Sequence, residues 1–302
     1  MRILITGKGS YIGRSLKAWL EDTEGYIIDE LDMENPNWTL YDFTPYDTVI
    51  HVAAIVHKKK KEIDWSTYYR INTILPYQVA KKARESKVRH FIFLSTMAVY
   101  GQGKKLPTGN IIDKKTPLRP KSYYGRSKLM AELKLITLNS KDFRISIVRP
   151  PNVYGYACPG NYISSFVKLV KLMPIIPATY TDCRQGFIYI DNLCSLIQQL
   201  INDRRPGIFH PQDGEGVSSF TLLSEIAPLI HRKPLYSYKL GKMISFLHKL
   251  PIVIKIFGGV SYSSSLSNKP YNNYSRVDFK NALRITITGS ENKKQKSNSM
   301  EI

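Results

Sequence analysis

The chain has 302 residues, 43% of them hydrophobic, with a formal charge of +20. That length accommodates one large domain or two small ones around a sizeable core. The charge admits nucleic acid, an anionic membrane surface or an anionic small substrate as partner. The lysines are scattered, however, apart from Lys58 to Lys61 and the tail, and no aromatic-basic nucleic-acid module is evident, so the expectation is a solvated surface and no nucleic acid.

There is no run of about 18 apolar residues, so no transmembrane helix is expected. The chain enters a strand directly, so no signal peptide is expected. Cys158, Cys183 and Cys194 show neither paired nor metal-type spacing. They read as reduced thiols of a cytoplasmic protein without a metal site.

Arg2 to Thr6 is a short apolar run, read as a buried strand. Gly7-Lys8-Gly9-Ser10-Tyr11-Ile12-Gly13 follows, and an amphipathic helix then runs to about Glu21. Strand, glycine turn and helix together form the context in which glycines let a backbone approach a pyrophosphate at a helix N-terminus. A second strand, about Tyr26 to Leu31, ends at Asp32, where an acid accepts hydrogen bonds from an adenosine ribose and repels a 2′-phosphate. Asp29 and Glu34 are alternatives for that role, and Lys8 and Arg14 argue for the phosphate. NAD is therefore the expected cofactor, with NADP open.

Pro36 to Asp47 shows no convincing helix. Thr48 to Ala54 is the next buried strand, and the small residues Ala53 and Ala54 at its carboxyl end leave room for a cofactor. His51 is read as structural. Trp65 to Glu85 has helical periodicity and carries Asn72, and Arg89 to Ser95 is a further strand leading into Thr96-Met97-Ala98-Val99-Tyr100-Gly101. Alternating strands and helices indicate an α/β fold with a doubly wound parallel sheet.

Tyr124-Gly125-Arg126-Ser127-Lys128 places a phenol and an ammonium one turn apart on one helix face. A free tyrosine titrates near pKa ~10. A nearby cation lowers that value, so the expectation is a phenol able to take and give a proton near neutral pH. Beyond Asn152 the alternation weakens. Gly160-Asn161-Tyr162 opens a helix, Asp191 to Asn202 reads as a capped helix, Gly207 to His210 as a short strand and Ser219 to His231 as a helix. Lys242 to Phe257 is apolar and cationic, broken at Pro251. Core helices are the first reading, a lid or a membrane-surface segment the alternatives. From Gly289 to Ile302 the polar, lysine-rich tail is expected to be disordered.

Five stretches stand in a characteristic order over about residues 1 to 195: Thr6-Gly7…Gly13, His51-Val52-Ala53-Ala54, Ser95 to Gly101, Tyr124 to Lys128, and Arg149-Pro150-Pro151-Asn152-Val153-Tyr154-Gly155. Together they resemble the extended short-chain dehydrogenase/reductases of the NAD-dependent epimerase/dehydratase type, the UDP-glucose 4-epimerase-like enzymes of nucleotide sugars. The resemblance implies that Thr96 hydrogen-bonds the reacting sugar oxygen, that Tyr124 is the acid/base, and that Lys128 holds the nicotinamide ribose and tunes the tyrosine. It places Asn152 and Asn161 on the substrate and Arg184 on its diphosphate, a job suited to a planar guanidinium. The implied cofactor contacts are Gly7, Gly9, Ser10, Tyr11, Ile12, Gly13, Asp32, Ala53, Ala54, Asn72, Ser95, Tyr124, Lys128 and Pro151.

Two departures stand out. Ser10 replaces a usual glycine, so its hydroxyl either bonds a phosphate or alters the turn. Met97 and Ala98 stand where 4,6-dehydratases of this type carry an aspartate and a glutamate. A thioether and a methyl group cannot perform acid–base elimination, which argues against a dehydratase.

The expected organisation is a Rossmann core over 1–155 with returns to the sheet around 186–210, a smaller substrate-binding α/β region over 156–288, and the tail 289–302. The expected activity is NAD-dependent 4-epimerisation of a nucleotide sugar in surface-polysaccharide synthesis. The alternatives are an NAD(P)H-dependent 4-keto-sugar reductase, action on a lipid-diphosphate-linked sugar, and a dinucleotide-binding sensor without turnover. The resemblance also implies a homodimer.

Overall fold

A computed structural model describes residues 1–56, 63–160, 162–267 and 273–289. The basic run Lys58 to Lys61, Asn161 and the tail beyond Gly289 lie outside the described residues.

Six parallel strands form the central sheet: β1 Arg2–Thr6, β2 Ile27–Leu31, β3 Thr48–His51, β4 His90–Leu94, β5 Arg144–Val148 and β6 Gly207–Phe209. Their spatial order is β6-β5-β4-β3-β1-β2. The inner strands β1, β3, β4 and β5 are short and buried on both sides, as a sheet covered on both faces requires, while the edge strands β2 and β6 are partly exposed. In β1, Ile3 and Ile5 pack into one layer with Leu16 and Leu20, while Leu4 packs into the other with Val49, Val79 and Phe91. The expected third strand is shorter than read: it ends at His51, and Val52 to Ala54 leave the ladder as an open loop.

The chain enters helix α1 (Tyr11–Glu21) through Ser10, whose hydroxyl accepts from the Gly13 amide at 3.1 Å. The crossover after β2 contains one 3₁₀ turn, Pro36–Leu40, where no helix was expected. The single helix expected over Trp65 to Glu85 is three pieces: α2 (Trp65–Tyr69), a π-helical turn (Arg70–Ile74) and α3 (Leu75–Glu85). The cause is Pro76 near the start of α3. Proline has no N–H to give to the residue four back and its ring crowds that carbonyl, so the helix widens there. Helix α4 (Tyr123–Ile136) packs against α3 and the π turn.

The second half contributes helices α5 (Tyr162–Leu172), α6 (Ile190–Asp203), α7 (Ser219–Leu229), α8 (Tyr238–Phe246) and α9 (Pro251–Phe257). Helix α6 packs on α1. It starts after Tyr189 without a side-chain cap; instead Asp191 in its first turn favours the helix dipole. Among the described residues, two short strand pairs stitch this half to the first, Asn152–Tyr154 with Phe187–Tyr189 and Asn110–Ile112 with Val260–Tyr262, and two more lie within it. One apolar core runs through both halves, from Ile3 and Ile50 to Ile226 and Leu283. The expectation of core helices over Lys242 to Phe257 is met on one side of the stretch and not on the other. Val253 and Phe257 are buried in the main core and Ile244, Ile254 and Ile256 pack against it, but Phe246 is 83% exposed, Met243 56% and Ile252 57%. The three cysteines are free, in keeping with their spacing.

Candidate active site

The connections from β1 and β3 lead to opposite sides of the sheet, so their carboxyl ends flank a crevice, the usual ligand position in an open α/β sheet. Gly7 lies in that crevice at φ +109°, and a Cβ there would stand 2.7 Å from the Ala53 amide nitrogen. Both the left-handed backbone and the close approach require glycine. What results is bare backbone at a helix N-terminus, a surface that fits a pyrophosphate. The loop is tied down by the Gly7 and Lys8 amides, which donate to the Leu31 carbonyl. Ser10 spends an acceptor site on capping α1, which accounts for a hydroxyl in place of the expected glycine. Tyr11 packs its ring back toward Gly155, and its buried hydroxyl has no partner there.

Of the three candidate acids Asp29, Asp32 and Glu34, Asp29 is committed: it accepts from Arg2 and Tyr46, each at 2.9 Å. Asp32 is exposed one residue beyond the strand and caps a turn by accepting from the Glu34 amide. The Gly7 and Lys8 bonds to the Leu31 carbonyl set it directly beside the glycine loop. Ala53 and Ala54 are half-exposed in the loop after β3. His51 is buried, shares a 2.7 Å hydrogen bond with Thr6 and is pushed down to about 3 by burial, in keeping with a structural role.

Asn72 differs from expectation. It is fully buried, and its amide is occupied: it accepts from the Ile55 amide and donates to the Ile55 carbonyl and to Ser127 Oγ. Thr73 adds a 2.8 Å bond to the Ser127 carbonyl. The π turn aims both side chains at α4, so Asn72 clamps the cofactor-side loop to that helix instead of facing the crevice. Ser95 is likewise buried, its hydroxyl donating to the Glu132 carboxylate.

Thr96 and Tyr124 are brought together by close packing of two turns. The 3₁₀ turn Met97–Tyr100 follows Thr96, whose Oγ1 accepts from the Ala98 amide at 3.2 Å. A Cβ on Gly125 would lie 2.7 Å from the Ala98 carbonyl oxygen, so glycine at 125 lets this turn settle on α4. Thr96 hydrogen-bonds the half-buried Tyr124 phenol.

The electrostatics correct the sequence-based expectation. Burial pushes Tyr124 up to about 12, and the Thr96 bond only partly opposes this. Burial pushes Lys128 down to about 7, opposed by Glu132. Lys128 Nζ donates to the Leu94 carbonyl at 2.7 Å and lies over the Phe93 ring, so its charge is directed at the carboxyl end of β4 and not at the phenol. Desolvation outweighs the expected cation effect.

Sequence reasoning missed the network beneath this pair. Glu132, one turn beyond Lys128, is 1% exposed and is gripped by Arg149 through Nε and a 2.6 Å Nη2 contact. Arg149 Nη1 also donates to Tyr100, whose hydroxyl meets His210 at 2.8 Å. The signal was available: 124, 128 and 132 share one face at a spacing of four.

On the substrate side, Pro151 and Asn152 are half-buried, and Asn152 Nδ2 donates to the Gly186 carbonyl. Met97 packs among Val99, Tyr100, Ile112, Val260 and Tyr262. Arg184 is exposed and pairs with Glu215 at 3.0 Å on the rim of a cleft of about 260 Å³. Exposed pairs of this kind contribute little, so the guanidinium remains available to an anion. A wider cleft of about 1120 Å³ opens at the amino ends of β4 and β5, lined by Arg84, Arg89, Arg144 and Arg204. None of the site residues described above lines it.

The sequence model of the NAD dependent epimerase/dehydratase family matches residues 3–210. The UDP-glucose 4-epimerase of Vibrio cholerae is 28% identical over 284 residues, covering 85% of each chain. The dTDP-4-dehydrorhamnose reductase of Aggregatibacter actinomycetemcomitans is 27% identical over 212 residues, 66% of this chain and 67% of that one. Among solved structures, the Bordetella bronchiseptica enzyme WbmG in complex with NAD superposes with a TM-score of 0.70 at 21% identity, covering 95% of this chain and 93% of that one. At that identity the likeness concerns the fold.

Proposed function

We propose, since the chain belongs to the NAD dependent epimerase/dehydratase family, that it is a nucleotide-sugar 4-epimerase working through a transient 4-keto sugar. The observation that carries the reading is the Thr96–Tyr124 hydrogen bond beside Lys128, with Met97 turned into an apolar cluster and Ala98 carrying only a methyl group. Thr96 and Tyr124 offer proton transfer at one sugar oxygen, and neither Met97 nor Ala98 offers a group for elimination from a neighbouring carbon.

The glycine loop from Gly7 to Gly13, Asp32, Ala53, Ala54 and Lys128 would hold the cofactor. NAD, when bound, would supply the hydride acceptor for the sugar carbon and the donor for its return. Tyr124 Oη takes the 4-hydroxyl proton and later gives it back, while Thr96 Oγ1 holds the same oxygen in line. With its pKa at about 12, the phenol is in its proton-donating form. The Thr96 bond favours the phenolate needed for the first step, and Lys128, one turn on, is the cation on that helix face. The buried Glu132–Arg149 pair holds Ser95, and through it the end of β4, in place. Arg184 would take the diphosphate in exchange for Glu215, and Asn152 would contact the sugar.

The test is incubation of UDP- and GDP-sugars with the purified protein, read by NMR. Interconversion of two C4 epimers without added NAD(P)H is expected. The similarity to a 4-keto-sugar reductase supports one competing reading, in which the same residues act once and the cofactor is consumed. Stoichiometric oxidation of NADH or NADPH by a 4-keto-6-deoxy sugar, with no epimer formed in the first assay, would establish that reading instead.

Asp32 gives a second expected result. Asp32→Ala should raise the kcat/KM ratio for NADP over NAD, because the acid that repels a 2′-phosphate is gone while Lys8 and Arg14 remain. A wild-type preference for NADP would assign the choice to those two cations.

A further inference from the structure

We propose that the surface formed by residues 235–252 docks on an anionic lipid bilayer, lying in its interface without crossing it. This goes beyond the catalytic reading and does not depend on it. Large apolar side chains are turned outward throughout the stretch: Leu235 is 70% exposed, Tyr238 76%, Met243 56%, Phe246 83%, Leu250 45% and Ile252 57%. Single exposed apolar residues are ordinary, but a concentration within one short stretch marks an interaction surface.

The helix geometry shows that the exposure is a face. In α8, positions 238, 239, 242, 243 and 246 fall on one arc of the helix. All five are exposed, while Gly241 on the opposite side is buried with no room for a Cβ against the Ala178 carbonyl. That outward arc therefore carries Tyr238, Met243 and Phe246 interleaved with Lys239 and Lys242. Lys249 and Lys255, also exposed, continue the pattern through the turn and α9.

Charge decides the occupant. From Ile226 to Val277 the sequence contains no aspartate or glutamate. A solvated helix face normally mixes both signs, and this one carries apolar groups and cations alone. A second copy of the chain would set lysines against lysines in an isologous contact. An anionic bilayer satisfies both components at once: apolar and aromatic side chains enter the headgroup–acyl boundary while lysines meet the phosphates. Among the described residues no helix is long and apolar enough to cross a membrane, so the contact is interfacial.

The test is co-sedimentation of the full chain with vesicles of phosphatidylglycerol and phosphatidylcholine in equal parts, against vesicles of phosphatidylcholine alone. Binding to the anionic vesicles, weakened by salt, is expected. Phe246→Ser with Ile252→Ser should lower the partition coefficient by about tenfold or more without changing net charge. Lys239→Gln with Lys242→Gln should lower it by a similar factor, whereas the same loss of charge at the exposed Lys114 and Lys141 should have a much smaller effect. Thermal midpoints of the variants check folding, since every replaced side chain is exposed. Absence of binding to anionic vesicles, equal binding to both vesicle types, or equal effects of the two lysine pairs would overturn the proposal. So would a stable dimer that dissociates on Phe246→Ser with Ile252→Ser and shows no affinity for vesicles, because it would make a second copy the occupant.

Discussion

Tyr124→Phe is expected to cut turnover roughly 10²–10⁴-fold, the usual contribution of a general acid–base group. Cofactor affinity should change little, because the ring and its packing remain and only the hydroxyl is lost. Within the catalytic set, the structure gives that hydroxyl a partner in Thr96, and it sits on the helix face that also carries Lys128. Steady-state kcat together with cofactor binding measured by fluorescence separates the two effects. A loss below about tenfold would move proton transfer to another group. A parallel loss of cofactor binding would make the tyrosine a binding residue.

Glu132→Ala carries the largest expected cost in stability. The Arg149 side chain is 5% exposed and the Glu132 side chain 1%. Removing the carboxylate leaves a guanidinium buried with only the Tyr100 hydroxyl and no counter-charge. Breaking a buried pair from one side costs roughly 3–5 kcal/mol, a large part of the ~5–15 kcal/mol that holds a typical domain together. Replacing both partners with methionine should recover much of that loss, since it removes the stranded charge as well as the pair. Denaturant midpoints for the single and double variants are the measurement. A single-variant loss under about 1 kcal/mol would mean that water reaches Arg149 and the network is not closed. A stable double variant with low activity would separate the two roles of the pair, holding the fold together and positioning Ser95.

Local pattern determined a good deal of this protein. Strands that are apolar on both sides and the glycine turn directly after the first strand specify a covered parallel sheet with a crevice at its carboxyl ends. Both signals depend on backbone sterics and side-chain periodicity, which act over a few residues. The tyrosine and lysine at a spacing of four were legible for the same reason. So was the absence of acids at Met97 and Ala98.

Tertiary structure decided the rest, because burial and pairing depend on residues far apart in the chain. Asn72 lay in a recognisable helix, but only the π turn imposed near Pro76 shows that its amide is consumed by Ile55 and Ser127. The phenol and ammonium were expected to lower the tyrosine's pKa. Desolvation reversed that expectation, and the Leu94 carbonyl drew the lysine aside. Asp29 could be set aside as ribose partner only once Arg2 and Tyr46 were seen to hold it. The stretch from Lys242 to Phe257 has the composition of a core helix. Val253 and Phe257 do enter the core, while Met243, Phe246 and Ile252 face outward, and one sequence segment cannot show which of its sides meets a neighbour.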